Sequence, residues 1–316
     1  MSGGGVVLIL AWVAAAVGPF LCLLLVRRML RVRRIFLGWS LAAVTAVAWA
    51  LGVWAFLLEP TTLKVRHVTI ESATWSGPPV RIGVISDTHV SAPHVDVGRL
   101  RGLVRRMNGE QPDIILLLGD YTGGSSWAAE RNRAEILEGI EAFGRLKAPL
   151  GVYGVLGNHD SDFDDAAIAA AMGRAQVPVL ENRAVRIDRP GGAFWIAGLA
   201  DMHSPRTPPL PRTALREVSP GEPSIVITHW PDPFVAVPQD VALTLAGHTH
   251  CGQVNLPVLG RLVHASPASE RWACGLYDEG GRKLFVTGGV GVSILPVRFR
   301  VPPEIVVVTL KGPSGT

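Results

Sequence analysis

The chain has 316 residues, a formal net charge of +4 and 48% hydrophobic residues. That length allows one large domain or two small ones, and so high an apolar content, unevenly spread, does not suit an ordinary soluble protein. The positive charge lies largely in one short loop and the rest is close to neutral, so no nucleic-acid partner is expected.

From Val6 to Val26 and again from Ile35 to Leu58 there is no charged residue. Each stretch is long enough to cross a bilayer as a helix, so residues 1–60 read as a membrane anchor with transmembrane helices over about 6–26 and 35–58. Gly18-Pro19 would break a soluble helix, but both residues are commoner in membrane helices. Between the spans lies "RRMLRVRR", with Arg27, Arg28, Arg31, Arg33 and Arg34 and no acid. By the positive-inside rule this loop stays cytoplasmic, which makes the chain a multi-pass cell-membrane protein whose remainder is extracytoplasmic. "RRIFLG" also looks like the start of a twin-arginine export signal, although a plain basic hairpin accounts for the same residues. Ala46-Val47-Ala48 sits inside the apolar run, so an uncleaved anchor is expected.

Residues 61–79 read as a connector in which "LKVRHVTIE" has the alternation of an edge strand, and residues 80–316 as the soluble domain. Strands are predicted at "VRIGVIS", "DIILLLG", "GVYGVLG", "AVRID", "AFWIAGLA", "SIVITH", "ALTLAGH", "KLFVTGG" and "EIVVVTL". Helical spacing links Val97, Leu100, Val104 and Met107, then Ile136, Leu137, Ile140 and Phe143, and an Ala-rich helix follows Asp164. Strands and helices alternate first and strands dominate later, which predicts an α/β core of two facing sheets with helices outside.

Polar residues recur where predicted strands end. These are Asp87 and His89, then Asp120, then Asn158, His159 and Asp160, then His229, and last His248 and His250 in "GHTHCGQ". Ligands bind outside the carboxyl ends of strands in open α/β sheets, so five separate segments should converge on one site. A single D-x-H, N-H-D or H-x-H is weak, because a lone histidine is more often a satisfied core or surface residue. Together the carboxylates, imidazoles and amide oxygen suit Mn, Fe or Zn, and the lack of a thiolate cluster argues against structural zinc. In an extended H-x-H the two rings point apart, so His248 and His250 can serve different ions, with Gly247 allowing a tight turn. His67, His94, His203 and His264 lack a strand-end context and stay unassigned. Cys251 and Cys274 could pair in an oxidising compartment, but two cysteines are no disulfide framework and the sequence leaves their pairing open.

The order D-x-H, G-D, G-N-H-D, H, G-H-x-H resembles the calcineurin-like metallophosphoesterases over Asp87 to His250. "GHTHCGQVNLPVLG" and "TGGVGVSILPVRFRVPPEI" extend the resemblance to the family's membrane-associated YkuE and YaeI type branch. Cys251 stands where many relatives carry Gly. The resemblance implies a four-layer α/β/β/α metallophosphoesterase sandwich and two divalent metal ions, about 3.5–4 Å apart. It implies Asp87, His89, Asp120 and His250 on the first ion and Asp120, Asn158, His229 and His248 on the second. Two cations against two carboxylates leave a positive pocket for an anionic phosphoryl group, and the ions activate water for in-line attack. His159 is the expected proton donor to the leaving group, with Asp160 orienting its ring. The activity expected is metal-dependent hydrolysis of a phosphodiester or pyrophosphate in a lipid-linked or envelope substrate. A UDP-2,3-diacylglucosamine pyrophosphatase-like activity is an alternative that needs the cytoplasmic face, and a non-catalytic metal-binding scaffold is another. Substrate contacts are sought in the 201–223 loop, Trp230, Arg298 and Arg300.

Overall fold

The computed structural model describes residues 3–31, 35–90, 94–123 and 132–313. The expected twin-arginine pair, Arg33 and Arg34, lies outside them. Two helices open the chain, α1 (Gly3–Arg31) and α2 (Ile35–Val53), and the second runs on through a π-helical turn, Trp54–Leu58, and a 3-10 turn, Glu59–Thr61. Val6–Met29 and Phe36–Thr61 are long and apolar enough to cross a membrane, 24 and 26 residues against about 20 needed. Gly18-Pro19 has a structural use here. A Cβ on Gly18 would stand 2.3 Å from the Trp49 ring. Pro19 has no N–H to give the Ala15 carbonyl, and the Trp49 indole donates there instead, at 3.2 Å, and equally to Ala14.

The rest is built on two sheets. Sheet I contains β1 (Lys64–Glu71), β2 (Val80–Ile85), β3 (Ile114–Leu117), β4 (Val152–Gly154) and β13 (Glu304–Lys311), in the order β1-β13-β2-β3-β4. Sheet II contains β5 (Arg183–Ile187), β6 (Phe194–Gly198), β7 (Ser224–Ile227), β8 (Leu243–Ala246), β11 (Gly275–Glu279) and β12 (Arg282–Val286), in the order β11-β12-β8-β7-β6-β5. A small hairpin, β9 (Asn255–Leu256) and β10 (Gly260–Arg261), stands apart. The connector expected over 61–79 therefore contains a full strand: β1 pairs residue for residue with β13, from Lys64 opposite Glu304 to Glu71 opposite Lys311.

The apolar runs fill both faces of sheet I by strict alternation. Ile115 and Leu117 pack under α3 (Val97–Gly109), α4 (Arg133–Glu141) and α5 (Asn158–Arg174), against Leu100, Met107, Ile140, Phe143 and Ile168. Ile114 and Leu116 face the other way and meet Ile196, Ile225, Leu243 and Phe285 of sheet II. Each such side chain contributes roughly 1.5–3 kcal/mol by leaving water. The outer layer on sheet II is thinner than helices would make it. The single turn α6 (Pro211–Ala214) and two 3-10 turns bring Ala214, Phe234, Val237 and Trp272 over Val226, Ala246 and Leu284. The Ala-rich helix begins where Asp164 breaks α5: its backbone is extended and its carboxylate caps Ala167 N at 2.9 Å.

β2, β3 and β4 are mutually parallel, as are β6, β7, β8 and β12. Their carboxyl ends therefore share one edge of the molecule, and β13, antiparallel to β2, begins at that edge.

Candidate metal centre

The loops after β2, β3, β4, β7 and β8 bring the strand-end residues together, as the alternation of strands and helices predicts. The donor atoms of Asp87, His89 and His250 lie within 4.8 Å of one another, and so do those of Asp120, His229 and His248. His89, Asp120 and His159 form a third such group. Asp120 is central: its Oδ2 is 3.3 Å from His229 Nε2 and 3.6 Å from His89 Nε2. Asn158 adds its amide oxygen 3.2 Å from His229 Nε2. His89 Nε2 faces His250 Nε2 at 3.0 Å, and His229 Nε2 faces His248 Nδ1 at 3.2 Å.

Backbone carbonyls decide what these rings present. His89 Nδ1 lies 2.9 Å from the Thr122 carbonyl and His229 Nδ1 lies 2.8 Å from that of Leu118. A carbonyl only accepts, so both Nδ1 atoms carry a proton and both Nε2 atoms turn toward the carboxylates. With neutral rings, lone pairs would face lone pairs around Asp120. Either a proton or a cation must sit among them. Asp87 Oδ1 is buried with no hydrogen-bond partner, a second sign that a positive group belongs there. The residues fit divalent ions held by mixed oxygen and nitrogen ligands.

The electrostatics agree. Burial lowers the His89 imidazole to about 3 and, with the charge of His229, lowers His248 to about 3. Burial likewise pulls His250 down, and raises the Asp87 carboxyl to about 6. Burial would lower His229 as well, but the Asp120 carboxylate overrides it and raises the ring to about 10. In return His229 holds the Asp120 carboxyl well below the usual range in spite of its burial.

The backbone is strained where ligation would need it. Asp87, His89, Asp120, His248 and His250 all have left-handed φ, between 45° and 57°. Such positions cost on the order of 1–3 kcal/mol each and collect at functional sites. For this reason "GHTH" is not extended. His248 and His250 still face different partners, but by a left-handed turn rather than by strand alternation. Gly247 is needed for closeness, since its φ is not positive and a Cβ there would meet Ser86 Oγ at 2.1 Å and Asp87 Oδ2 at 2.7 Å.

Two sequence-based roles change. Asp160 is fully buried and accepts from the amides of Tyr121 at 2.9 Å, Thr122 at 3.1 Å and Gly157 at 3.0 Å. Its carboxylate ties the β3 loop to the start of α5 and does not orient the His159 ring; burial and the charge of Asp120 raise it to about 8. His159 is half-buried, gives its backbone amide to Asp120 Oδ1 at 2.9 Å, and sets its ring edge-on to His89 at 4.9 Å. Arg298, sought as a substrate contact, is fully buried behind His250. It donates to the carbonyls of Gly288, Gly289, Gly291 and Val301, and burial lowers it to about 10. Arg300 is exposed and Trp230 half-buried, stacked 3.5 Å over His248 with its indole donating to Asp201 Oδ2 at 2.8 Å.

Ser86 was missed by sequence reasoning, although it sits next to Asp87; its hydroxyl donates to Asp87 Oδ2 at 2.5 Å. The run "TGGVGVS" was the signal for Arg298, because carbonyls bared by closely packed glycines need a donor. Cys251 and Cys274 form a disulfide, a pairing the sequence leaves open, their Cα atoms 4.8 Å apart. The left-handed backbone at Cys251 and the turn before β11 bring together two residues 23 apart, which spacing alone does not reveal.

Two facing sheets with a nest of aspartates and histidines at their common edge define a metal-dependent phosphoester hydrolase. Residues 80–252 match the model of the calcineurin-like phosphoesterases, and the chain belongs to that family, whose members use divalent metal ions. It is 29% identical over 290 residues to the uncharacterized metallophosphoesterase YkuE of Bacillus subtilis, covering 89% of this chain and 98% of that one. Phosphodiesterase YaeI of Escherichia coli K12 is 28% identical, over 73% of this chain and 82% of its own. A transmembrane protein with metallophosphoesterase domain from Danio rerio is 28% identical over 85% of this chain, which spans 61% of that protein.

Proposed function

We propose that the protein is a membrane-anchored phosphoesterase with two divalent ions, hydrolysing a phosphodiester or pyrophosphate bond of a lipid-linked or envelope substrate on the extracytoplasmic side. The observation that carries this reading is the convergence of His89 Nε2 and His229 Nε2 on Asp120 Oδ2, with the buried Asp87 Oδ1 left without a hydrogen bond. Asp87, His89, Asp120 and His250 would hold the first ion; Asp120, Asn158, His229 and His248 would hold the second. When bound, such ions act as Lewis acids toward the phosphoryl oxygens and lower the pKa of water.

The residues do the rest. Thr122 and Leu118 fix the tautomers of His89 and His229 through their carbonyls. The His159 amide holds Asp120 Oδ1, so that Oδ2 is left for the centre, and the half-buried ring would give a proton to the departing oxygen. The pocket gathers four histidines and two aspartates and would carry net positive charge when loaded, which favours an anionic ester. A YaeI relative named as a phosphodiesterase supports the bond type. The two apolar helices and the arginines Arg27, Arg28 and Arg31 at the end of α1 support anchoring with the domain outside. The Cys251–Cys274 pairing supports an oxidising compartment.

The test compares wild type with His159→Ala on two diesters, bis-p-nitrophenyl phosphate and a dialkyl phosphate, whose leaving group is an alkoxide. The alkoxide needs a proton and nitrophenolate does not. Activity should fall about 10²–10⁴-fold on the alkyl ester and much less on the nitrophenyl ester, with two metals still bound. Equal losses on both would remove His159 as the acid, and a metal-free, inert wild type would end the whole reading.

A further inference from the structure

Among the described residues outside the two helices, exposed apolar side chains gather on a pair of loop tips. Val258 and Leu259 top the β9–β10 hairpin, with Leu262 and Val263 just beyond; Ile294 and Leu295 top the neighbouring turn. Val258 is 105% exposed and Ile294 89% exposed. Both are β-branched residues in the left-handed region, φ 69° and 62°, where Gly or Asn would be far less costly. Water gives no reason to keep branched apolar side chains at such positions.

Their place in the fold gives one. Gln253 joins the two loops, its side chain bonded to Ser293 N, Ser293 O and Leu295 O. Gln253 and Asn255 pair with Phe299 through backbone bonds of 2.9 Å. The same strand is fixed to the end of the second apolar helix: Arg298 N donates to Ala55 O at 3.0 Å, and Val301 N donates to the buried Glu59 Oε1 at 2.6 Å. Trp54 closes the joint with its indole on Glu59 Oε2 at 2.6 Å. From Thr61, the end of that helix, only three residues lead to Lys64, a reach of at most about 10 Å. Lys64 starts β1 opposite Glu304, at the edge where Asp87 and His89 lie. Helix exit, apolar tips and metal centre thus share one side of the molecule.

We propose that these two loops enter the membrane interface beside the second helix, so that the centre faces the headgroup layer and takes phosphate esters resident in the bilayer. The bilayer is the occupant because the tips continue the apolar helix end to which they are hydrogen-bonded. Loops of this kind reach about 5–10 Å into the headgroup and acyl boundary. The inference rests on the membrane reading of the two helices, and its test separates the two.

Full-length protein carrying Cys22→Ala is given one cysteine at a time, Val258→Cys, Ile294→Cys, Val47→Cys within the second span, or Asp188→Cys on the opposite edge of sheet II. Each is labelled with an environment-sensitive fluorophore in lipid nanodiscs with and without doxyl lipid. The labels at 258 and 294 should be blue-shifted and quenched by doxyl lipid like that at 47, while the label at 188 reads as in water. Quenching at 47 alone overturns the inference and spares the anchor. No quenching at 47 overturns both. A blue shift at 258 and 294 without doxyl quenching would mean a second copy of the chain covers them, and also overturns it. In Val258→Asp/Ile294→Asp, turnover of water-soluble bis-p-nitrophenyl phosphate should be unchanged and turnover of a nanodisc-borne alkyl p-nitrophenyl phosphate should fall several-fold; equal rates on both would count against the proposal.

Discussion

Asp87, His89 and His250 are held from behind by groups that are themselves fully buried, whereas Asn158, His229 and His248 open toward a half-exposed tryptophan. On the first side Ser86 fixes Asp87, the Thr122 carbonyl fixes His89, and Arg298 stands 3.4 Å behind His250. On the second, His229 has the Leu118 carbonyl, but the outer nitrogen of His248 is buried without a partner beneath Trp230. The lesson is that three buried groups preorganise one half and a single carbonyl braces the other, while each half keeps one buried atom without a hydrogen bond, Asp87 Oδ1 and His248 Nε2.

Asp120 belongs to both halves, so changing it breaks the contrast altogether. Asp120→Asn should lower phosphoesterase activity by at least about 10²–10³-fold, the scale of losing one electrostatic stabiliser, and metal analysis should show both of the proposed ions weakened. If only one ion is lost, the carboxylate is not shared. Next in size is the disulfide beside His250. Replacing Cys251 and Cys274 with Ser should cost about 3 kcal/mol of stability in denaturant melts, from the loop of 23 residues that it closes. It should disturb the preorganised half first.

Arg298→Met sharpens the same point. Affinity for one of the two ions should fall about 10–100-fold, as when a supporting partner of a ligand is removed, with the other unchanged in a titration followed by calorimetry. Arg298→Lys should recover part of the loss, because an ammonium still meets some of the glycine carbonyls; a loss shared equally by both ions would mean Arg298 only supports folding. The smallest effect is in protons. His229, raised to about 10 by Asp120, keeps its proton at neutral pH without a cation, while His89 and His248, lowered to about 3, do not. A coordinating imidazole must be neutral, so zinc uptake at pH 8 should release a proton from His229 and strengthen as pH rises toward 10, at most about tenfold per unit. Calorimetry in buffers of different ionisation heat reads this directly, and no release at pH 8 would contradict the assigned state.

Much of this was legible before any coordinates. Alternating apolar runs placed the strands, and a polar residue after each run marked the edge where they converge. What supports those residues was not legible, for a physical reason in each case. Arg298 was read only as a candidate substrate contact because its partners are main-chain carbonyls, which are identical in every sequence. Asp160 looked like a companion of His159 because they are neighbours, although the start of a helix turns consecutive side chains apart. The left-handed turns at Asp87, Asp120, His248 and Cys251 are imposed by tertiary contacts, and the pairing of Cys251 with Cys274 depends on the last of them. β1 was legible as an edge strand, but not its partner β13, which lies some 240 positions away, from 64 to 304.

That last pairing governs how the molecule is assembled. β13 lies between β1 and β2, so the strand that follows the two apolar helices has no neighbour in its sheet until nearly the whole chain has been made. Contacts so distant in sequence form slowly, and during that wait the sheet stays unfinished with an open edge. A nonsense change just before Glu304 would therefore leave an open-edged chain for quality-control proteases, with every candidate metal-binding residue still present.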